Sequence, residues 1–372
     1  MTRVWPVVVL AWAVAAAEVP SGVPGPAVPT VVKAESAPEW NAKFAGKEGW
    51  IGGDVVCSAV VGPKRVAWLF GDTLLGTVKD GQRPGAVMVN NTVGIQEGRG
   101  KEATIRFVSG KSKDGKPAAV LLPADGKGWF WPQAAVEVDG RLFVFLPQVD
   151  RTKDPGVLGF KVIGQWLAIV ENPQDDPQEW RVKQQRMPFA DFQPDHALSW
   201  GSALLAAGDD LYVYGFQENG KKIGQRRLTV ARVPAKKLDD FAAWEFRTPT
   251  GWSAKATDAA PLADGLATEF SVSPVPGGKG YVAVYTENGL GNRIVGRFAS
   301  APEGPWSSPL LLYTCPEMAK DKGVFSYAGK AHPWAASGNE LLVSYCVNTW
   351  EFAALFRDET VYRPKFVRIQ LR

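Results

Sequence analysis

The sequence predicts an all-β fold, a five-bladed β-propeller of four-stranded antiparallel sheets. Three observations carry this. Helical periodicity is nearly absent. Runs alternating β-branched and aromatic residues recur about every 70 residues, a period that signals radial repetition. They are Val66–Phe70, Leu142–Leu146, Leu211–Tyr214, Tyr281–Tyr285 and Leu341–Tyr345. Each follows a turn signal, namely Pro63-Lys64, Asp139-Gly140, Asp209-Asp210, Gly277-Gly278 and Ser337-Gly338. A single four-stranded sheet cannot bury both of its faces, whereas sheets stacked around an axis can, leaving only short edges.

Each repeat then reads in order. The first begins with Gly52-Gly53-Asp54, a strand to Val61, the Gly62-Pro63-Lys64 break and a second strand into Phe70-Gly71-Asp72-Thr73, a hairpin pattern. Third strands follow at Val87–Ile95, Gly159–Val170, Gln225–Val233, Arg293–Ala299 and Phe366–Leu371. Trp180, Trp244 and Trp306 open fourth strands in three repeats. Residues from Trp40 to Trp50 are expected to pair with the last strand and close the ring, since an open sheet edge invites association.

The N-terminus reads as a secretory signal over 1–17. Arg3 is its charged start, Val4 to Ala13 its apolar stretch and Ala15–Ala17 its cleavage pattern. A Pro, Ala and Val-rich linker spans 18–38 and the propeller 39–372. The expected location is secreted or periplasmic. The apolar stretch is too short to span a bilayer, so no membrane insertion is expected after cleavage. The formal net charge is +4, with 42 basic and 38 acidic side chains scattered along the chain, which leaves no footprint for nucleic acid. A monomer is expected. Cys57, Cys315 and Cys346 allow one disulfide at most, and their apolar surroundings favour three buried thiols. With two histidines and no Cys/His spacing for zinc, no metal and no cofactor are expected.

The first hairpin carries the chemistry. A turn centred on Pro63 sets Asp54 opposite Asp72, and opposed residues have Cβ atoms about 4.5–5.5 Å apart. Like charges so placed repel, and at least one carboxyl should have a raised pKa. The plainer reading makes both residues turn formers, and a one-residue register slip would put them on opposite faces. Aligning the repeats places polar residues at two recurring offsets. Asp54, Phe130, Ser199, Glu269 and Gly329 lie near the start of the inner strands. Asp72, Gln148, Gln217, Glu287 and Val347, then Asn348, lie near the end of the second strands. Both sets should gather at one mouth of the central channel, with His332 from the fifth inner strand and aromatic residues including Trp131 and Trp200.

A pair of acids, one protonated and one ionised, is what glycoside cleavage requires. A separation of about 5–5.5 Å suits a retaining mechanism and ~6.5–9.5 Å an inverting one. The hairpin favours the shorter. Asp54 is expected as nucleophile and Asp72 as acid/base, with the exchange of roles open. Glu269, His332, Trp131, Trp200, Gln148, Gln217, Glu287 and Asn348 are candidates to bind a polysaccharide or oligosaccharide. Each has a structural alternative: Glu269 in an ion pair, His332 holding its strand, the tryptophans as core. Asn90-Asn91-Thr92 matches the glycosylation triplet. A propeller that binds carbohydrate without cleaving it is the alternative function; a scaffold holding water or a cation is a third.

Several stretches, Gly52-Gly53-Asp54, Trp68–Thr73, Trp131-Pro132, Ser199–Gly201, Glu269–Val272, Gly304–Trp306 and His332-Pro333, resemble the secreted family long labelled domain of unknown function 4185. The resemblance runs from about Trp50 to Arg372. It implies a glycosidase-like five-bladed propeller. Some members of that family are endo-D-arabinanases of cell-wall arabinan, and the resemblance implies Asp54 and Asp72 as the catalytic pair.

Overall fold

The computed structural model describes residues 26–153, 159–220 and 226–372. The signal segment and the first part of the linker lie outside the described residues. The described chain is all-β. Its framework is five antiparallel sheets, in four of which the strands follow chain order from an inner to an outer position. The first comprises Cys57–Gly62, Arg65–Phe70, Thr92–Glu97 and Thr104–Val108. The second comprises Ala134–Val138, Arg141–Arg151, Phe160–Val170 and Val182–Arg186, with Trp129–Phe130 extending its inner edge. The third is built on His196–Ala207, Asp210–Asn219, Arg227–Pro234 and Glu245–Arg247 and carries three further short strands. The fourth comprises Phe270–Pro274, Tyr281–Thr286, Arg293–Ala299 and Leu310–Thr314.

The fifth sheet joins the two ends of the described chain. Val324–Ala331, Glu340–Thr349 and Pro364–Leu371 come from the C-terminal end, and Val31–Ser36 supplies the outer strand, antiparallel to Pro364–Leu371. This corrects two expectations. The pairing strand lies before Trp40–Trp50, and it lies within the stretch read as linker. Trp40 instead packs its ring against Phe366 at 5.8 Å, inside the core.

Apolar side chains fill the space between successive sheets. Leu69 and Val93 meet Leu142 and Val144; Phe143 and Phe145 meet Trp200 and Val213; Tyr214 and Val230 meet Tyr285 and Val295. Val284 and Ile294 meet Leu341 and Val343. Finally Trp68 and Phe70 meet Leu342 and Phe366, which joins the fifth sheet back to the first. The three cysteines are free and buried among these side chains. Among the described residues no helix is long and apolar enough to cross a membrane.

The first sheet departs from the repeat. Its strands run on into a three-stranded side sheet of Glu48–Gly53, Thr73–Thr77 and Val87–Val89. The expected strand Val87–Ile95 is thus two strands, broken at Asn90-Asn91. The cause is Asn91, whose buried amide donates to the carbonyls of Leu121 and Phe130 and accepts from the Leu121 N–H. Asp54, Asp72 and Asn90 all fall where the chain passes from one sheet to the other.

Candidate active site

The hairpin register holds. Cys57 pairs with Leu69 and Val60 with Val66 on one side of the junction, and Gly53 with Thr73 on the other. Between them the Asp54 N–H donates to the Asp72 carbonyl at 3.3 Å, and the Gly71 N–H donates to the Asp54 carbonyl at 2.9 Å. Val55 then takes φ 49°, a left-handed conformation that is a genuine outlier for a β-branched residue. Strain of this kind costs about 1–3 kcal/mol and clusters at functional sites. The glycines of the two motifs make room. A Cβ on Gly71 would stand 2.5 Å from Asp54 Oδ1, and one on Gly52 would stand 2.5 Å from the Tyr362 carbonyl.

The two carboxyls are held differently. Asp54 Oδ2 accepts from the Tyr327 hydroxyl at 2.7 Å and the Tyr362 hydroxyl at 3.0 Å, while its Oδ1 is buried with no partner. Asp72 Oδ1 accepts from Trp131 Nε1 at 2.8 Å and from Asn90 Nδ2 at 3.1 Å. Burial first, then the Asp72 charge, push the Asp54 carboxyl up to about 8 against the two tyrosine bonds. Burial also raises Asp72, opposed by the bonds from Trp131 and Asn90 and by the Arg151 charge. The pair therefore resists carrying two negative charges.

Both acids line a cavity of about 240 Å³. Trp131 and Phe160, in edge contact at 4.7 Å, form one wall; Phe325, Phe352 and Tyr327 form another. Glu269 and Asn348 also line it. Thr268 Oγ1 donates to Glu269 Oε2 at 2.6 Å, and Asn348 Nδ2 reaches the Tyr327 hydroxyl at 3.5 Å. Arg226, paired with Glu218 at 3.1 Å, lies between this cavity and a second of about 200 Å³. The two cavities share Val55, Trp131, Phe160, Arg226, Thr268 and Glu269.

Asp54, Asp72, Glu269, Trp131 and Asn348 thus come together as expected, and five other candidates do not. His332 is buried at the far side of the inner strands, where its ring bonds Ser58 Oγ at 2.7 Å and Ser344 Oγ at 2.8 Å. Burial and then the Lys330 charge push it down to about 3, so it is neutral. It lines a separate cavity of about 420 Å³. Strands advance about 3.3 Å per residue, and Ser58, its partner, is already four residues past Asp54. Trp200 is fully buried, packed against Phe246 at 4.9 Å. Gln148 is buried, bonding Asp125, the Lys127 carbonyl and Trp166. Gln217 donates to the Ala259 carbonyl beside another surface cavity, and Glu287 pairs with Arg293 at 2.6 Å. For these last three the strand-end offset repeats, but the side chains are taken up by neighbouring loops and strands.

The sequence reading missed Tyr362, Phe160 and Arg226, and it noted Asn90 only through a match to the glycosylation triplet, whereas its amide donates to Asp72. Asn90 could have been found from the break its neighbour imposes on an apolar strand. Tyr362 follows an irregular segment with no counterpart in the other repeats, so no pattern marked it.

The family model described as "Domain of unknown function (DUF5005)" matches residues 38–371. No curated protein matches. A candidate hydrolase from Bacteroides ovatus superposes with a TM-score of 0.71 at 20% identity, covering 90% of each chain, and shows a common fold. A GH43_1 enzyme from Xanthomonas citri complexed with xylotriose is 14% identical, with a TM-score of 0.47 and coverage of 90% of this chain and 93% of its own. An alpha-L-arabinofuranosidase from Podospora anserina in complex with cellotriose is 10% identical, with a TM-score of 0.47 and coverage of 87% and 92%.

Proposed function

The chain belongs to the DUF5005 family, and from its site we propose that it is a glycoside hydrolase, its five sheets the blades of a five-bladed propeller. The observation that carries the proposal is the pair of acids in one cavity, each pushed upward, with different hydrogen-bond partners. Asp54 holds the single proton near neutral pH. Its Oδ2 stands among the hydroxyls of Tyr327 and Tyr362, which line the cavity with it, while Oδ1 is buried against Gly71. Asp72 is the ionised partner, steadied through Oδ1 by Trp131 and Asn90. This reverses the roles expected from sequence, because Trp131, Asn90 and Arg151 all favour charge on Asp72.

The backbone pairing of the two residues favours a short carboxyl separation and a retaining mechanism. Asp54 gives its proton to the leaving glycosidic oxygen as Asp72 bonds the anomeric carbon. Asp54, now ionised, takes a proton from the water that displaces Asp72. Glu269 and Asn348 offer hydrogen bonds to sugar hydroxyls, and Trp131 offers a ring face. The substrate we propose is a polysaccharide with arabinan-like furanosidic linkages, met outside the cell if 1–17 is an export signal.

Incubation with arabinans and other glycans, followed by assay of new reducing ends, tests this. Release by the wild type should fall at least about a thousandfold in Asp54→Asn and in Asp72→Asn, which is ~4 kcal/mol of barrier. Release unchanged in either variant removes that residue from the mechanism. Binding without release favours the non-catalytic carbohydrate-binding propeller.

A further inference from the structure

The cavity at the two aspartates continues outward on the side of the fifth sheet. Phe325 and Phe352 line it there. Trp350 packs on Phe325 with ring centroids 4.4 Å apart and planes tilted by 38°, and its backbone N–H is fixed to the Gly323 carbonyl at 3.1 Å. Yet Trp350 is 52% exposed and Phe352 is 48% exposed. Large aromatic side chains usually bury such area. Exposed apolar groups that adjoin one another and a cleft mark a binding surface.

The first sheet packs between the second and the fifth. The aspartates therefore have aromatic walls on both sides, Trp131 with Phe160 on one and Phe325 with Phe352 on the other. A cavity of about 240 Å³ is smaller than the ~300–1,000 Å³ usual for a drug-sized ligand. It suits one sugar ring, so further rings must lie outside it. We propose that Trp350 and Phe352 form an outer carbohydrate subsite, on which one ring of a polysaccharide lies while a neighbouring ring occupies the cavity at the aspartates.

The occupant is a sugar chain because the platform is continuous with that cavity. It pairs an apolar ring face with the nearby hydrogen-bonding edge of Asn348. The inference rests on reading the mouth as a carbohydrate site. It does not need the acids to be catalytic.

Affinity electrophoresis in gels containing soluble arabinan, arabinoxylan or β-glucan tests it, using Asp72→Asn protein so that no polymer is cut. At least one polymer should retard this protein. Adding Trp350→Ala should weaken that binding about tenfold, equal to ~1.4 kcal/mol, with an unchanged thermal melt. Equal retardation of the two proteins, or no retardation by any polymer, overturns the subsite. Retardation that depends on Trp350, with no reducing ends released by the wild type, keeps the subsite and removes the hydrolase.

Discussion

At the scale of single residues, the site is costly to the fold. Asp54 has an ordinary carboxyl pKa of 3.8 in the unfolded chain and about 8 in the folded one. Between those values the folded chain keeps a proton that the unfolded chain has released. Its stabilising contribution is complete below about pH 4, declines as pH rises and is lost by about 8. Asp54→Asn removes this dependence. The gain in melting temperature of the variant over the wild type should therefore be larger at pH 8.5 than at pH 5, by at least about 2 °C, the scale of ~1 kcal/mol for a chain of this size. Equal differences at the two pH values, by calorimetry, would mean that Asp54 ionises freely. The glycines beside the acids belong to the same arrangement. Gly71 leaves the space that Asp54 Oδ1 fills, so the Gly-Asp motifs are legible as a packing requirement as well as a chemical one.

At the scale of elements, one buried cation holds the segment that completes the site. Arg83 is 0% exposed, and among the described residues no carboxylate forms an ion pair with it. Its guanidinium instead donates to the carbonyls of Ile51, Leu355, Asp358, Glu359 and Val361. This ties down the turn that brings Tyr362 to Asp54. Tyr362 itself takes φ 59°, with its N–H on the Val347 carbonyl and its carbonyl accepting from the Gly53 N–H. Lysine has three donors and cannot replace this set. Charge-assisted bonds contribute about 1.5–3 kcal/mol each, so Arg83→Lys should lose at least ~3 kcal/mol in urea unfolding. A loss below ~1 kcal/mol would show the clamp to be dispensable. Nothing in the sequence marked Arg83, because four of its five partners are backbone carbonyls more than 270 residues away along the chain.

For the whole molecule, the repeated hairpins were readable because turn residues and period-two alternation are local. The strand that joins the ends was not. Val31–Ser36 has four of its six residues exposed, follows a Pro-rich stretch and lacks a clear apolar face. Its pairing with Pro364–Leu371 is decided by the need to cover an edge. His332 was misplaced for a related reason. Its strand carries a bulge between Tyr327 and Lys330, with Ala328 at φ 52°, so Tyr327 stands at the site and His332 at the far end. Asp54 and Asp72 were placed well because the Gly-Pro-Lys turn fixed their register over a short distance. What the five sheets achieve together is to bring Tyr327, Tyr362 and Trp131 onto those two acids from separate parts of the chain. Carboxyl ¹³C titration by NMR, on protein labelled at aspartate and assigned with the two Asn variants, reads the outcome directly. The pair should titrate in two separated steps, the second near pH 8 and carried mainly by Asp54. Two independent titrations in the ordinary range near pH 4 would contradict a pair that shares one proton, and with it the proposed chemistry.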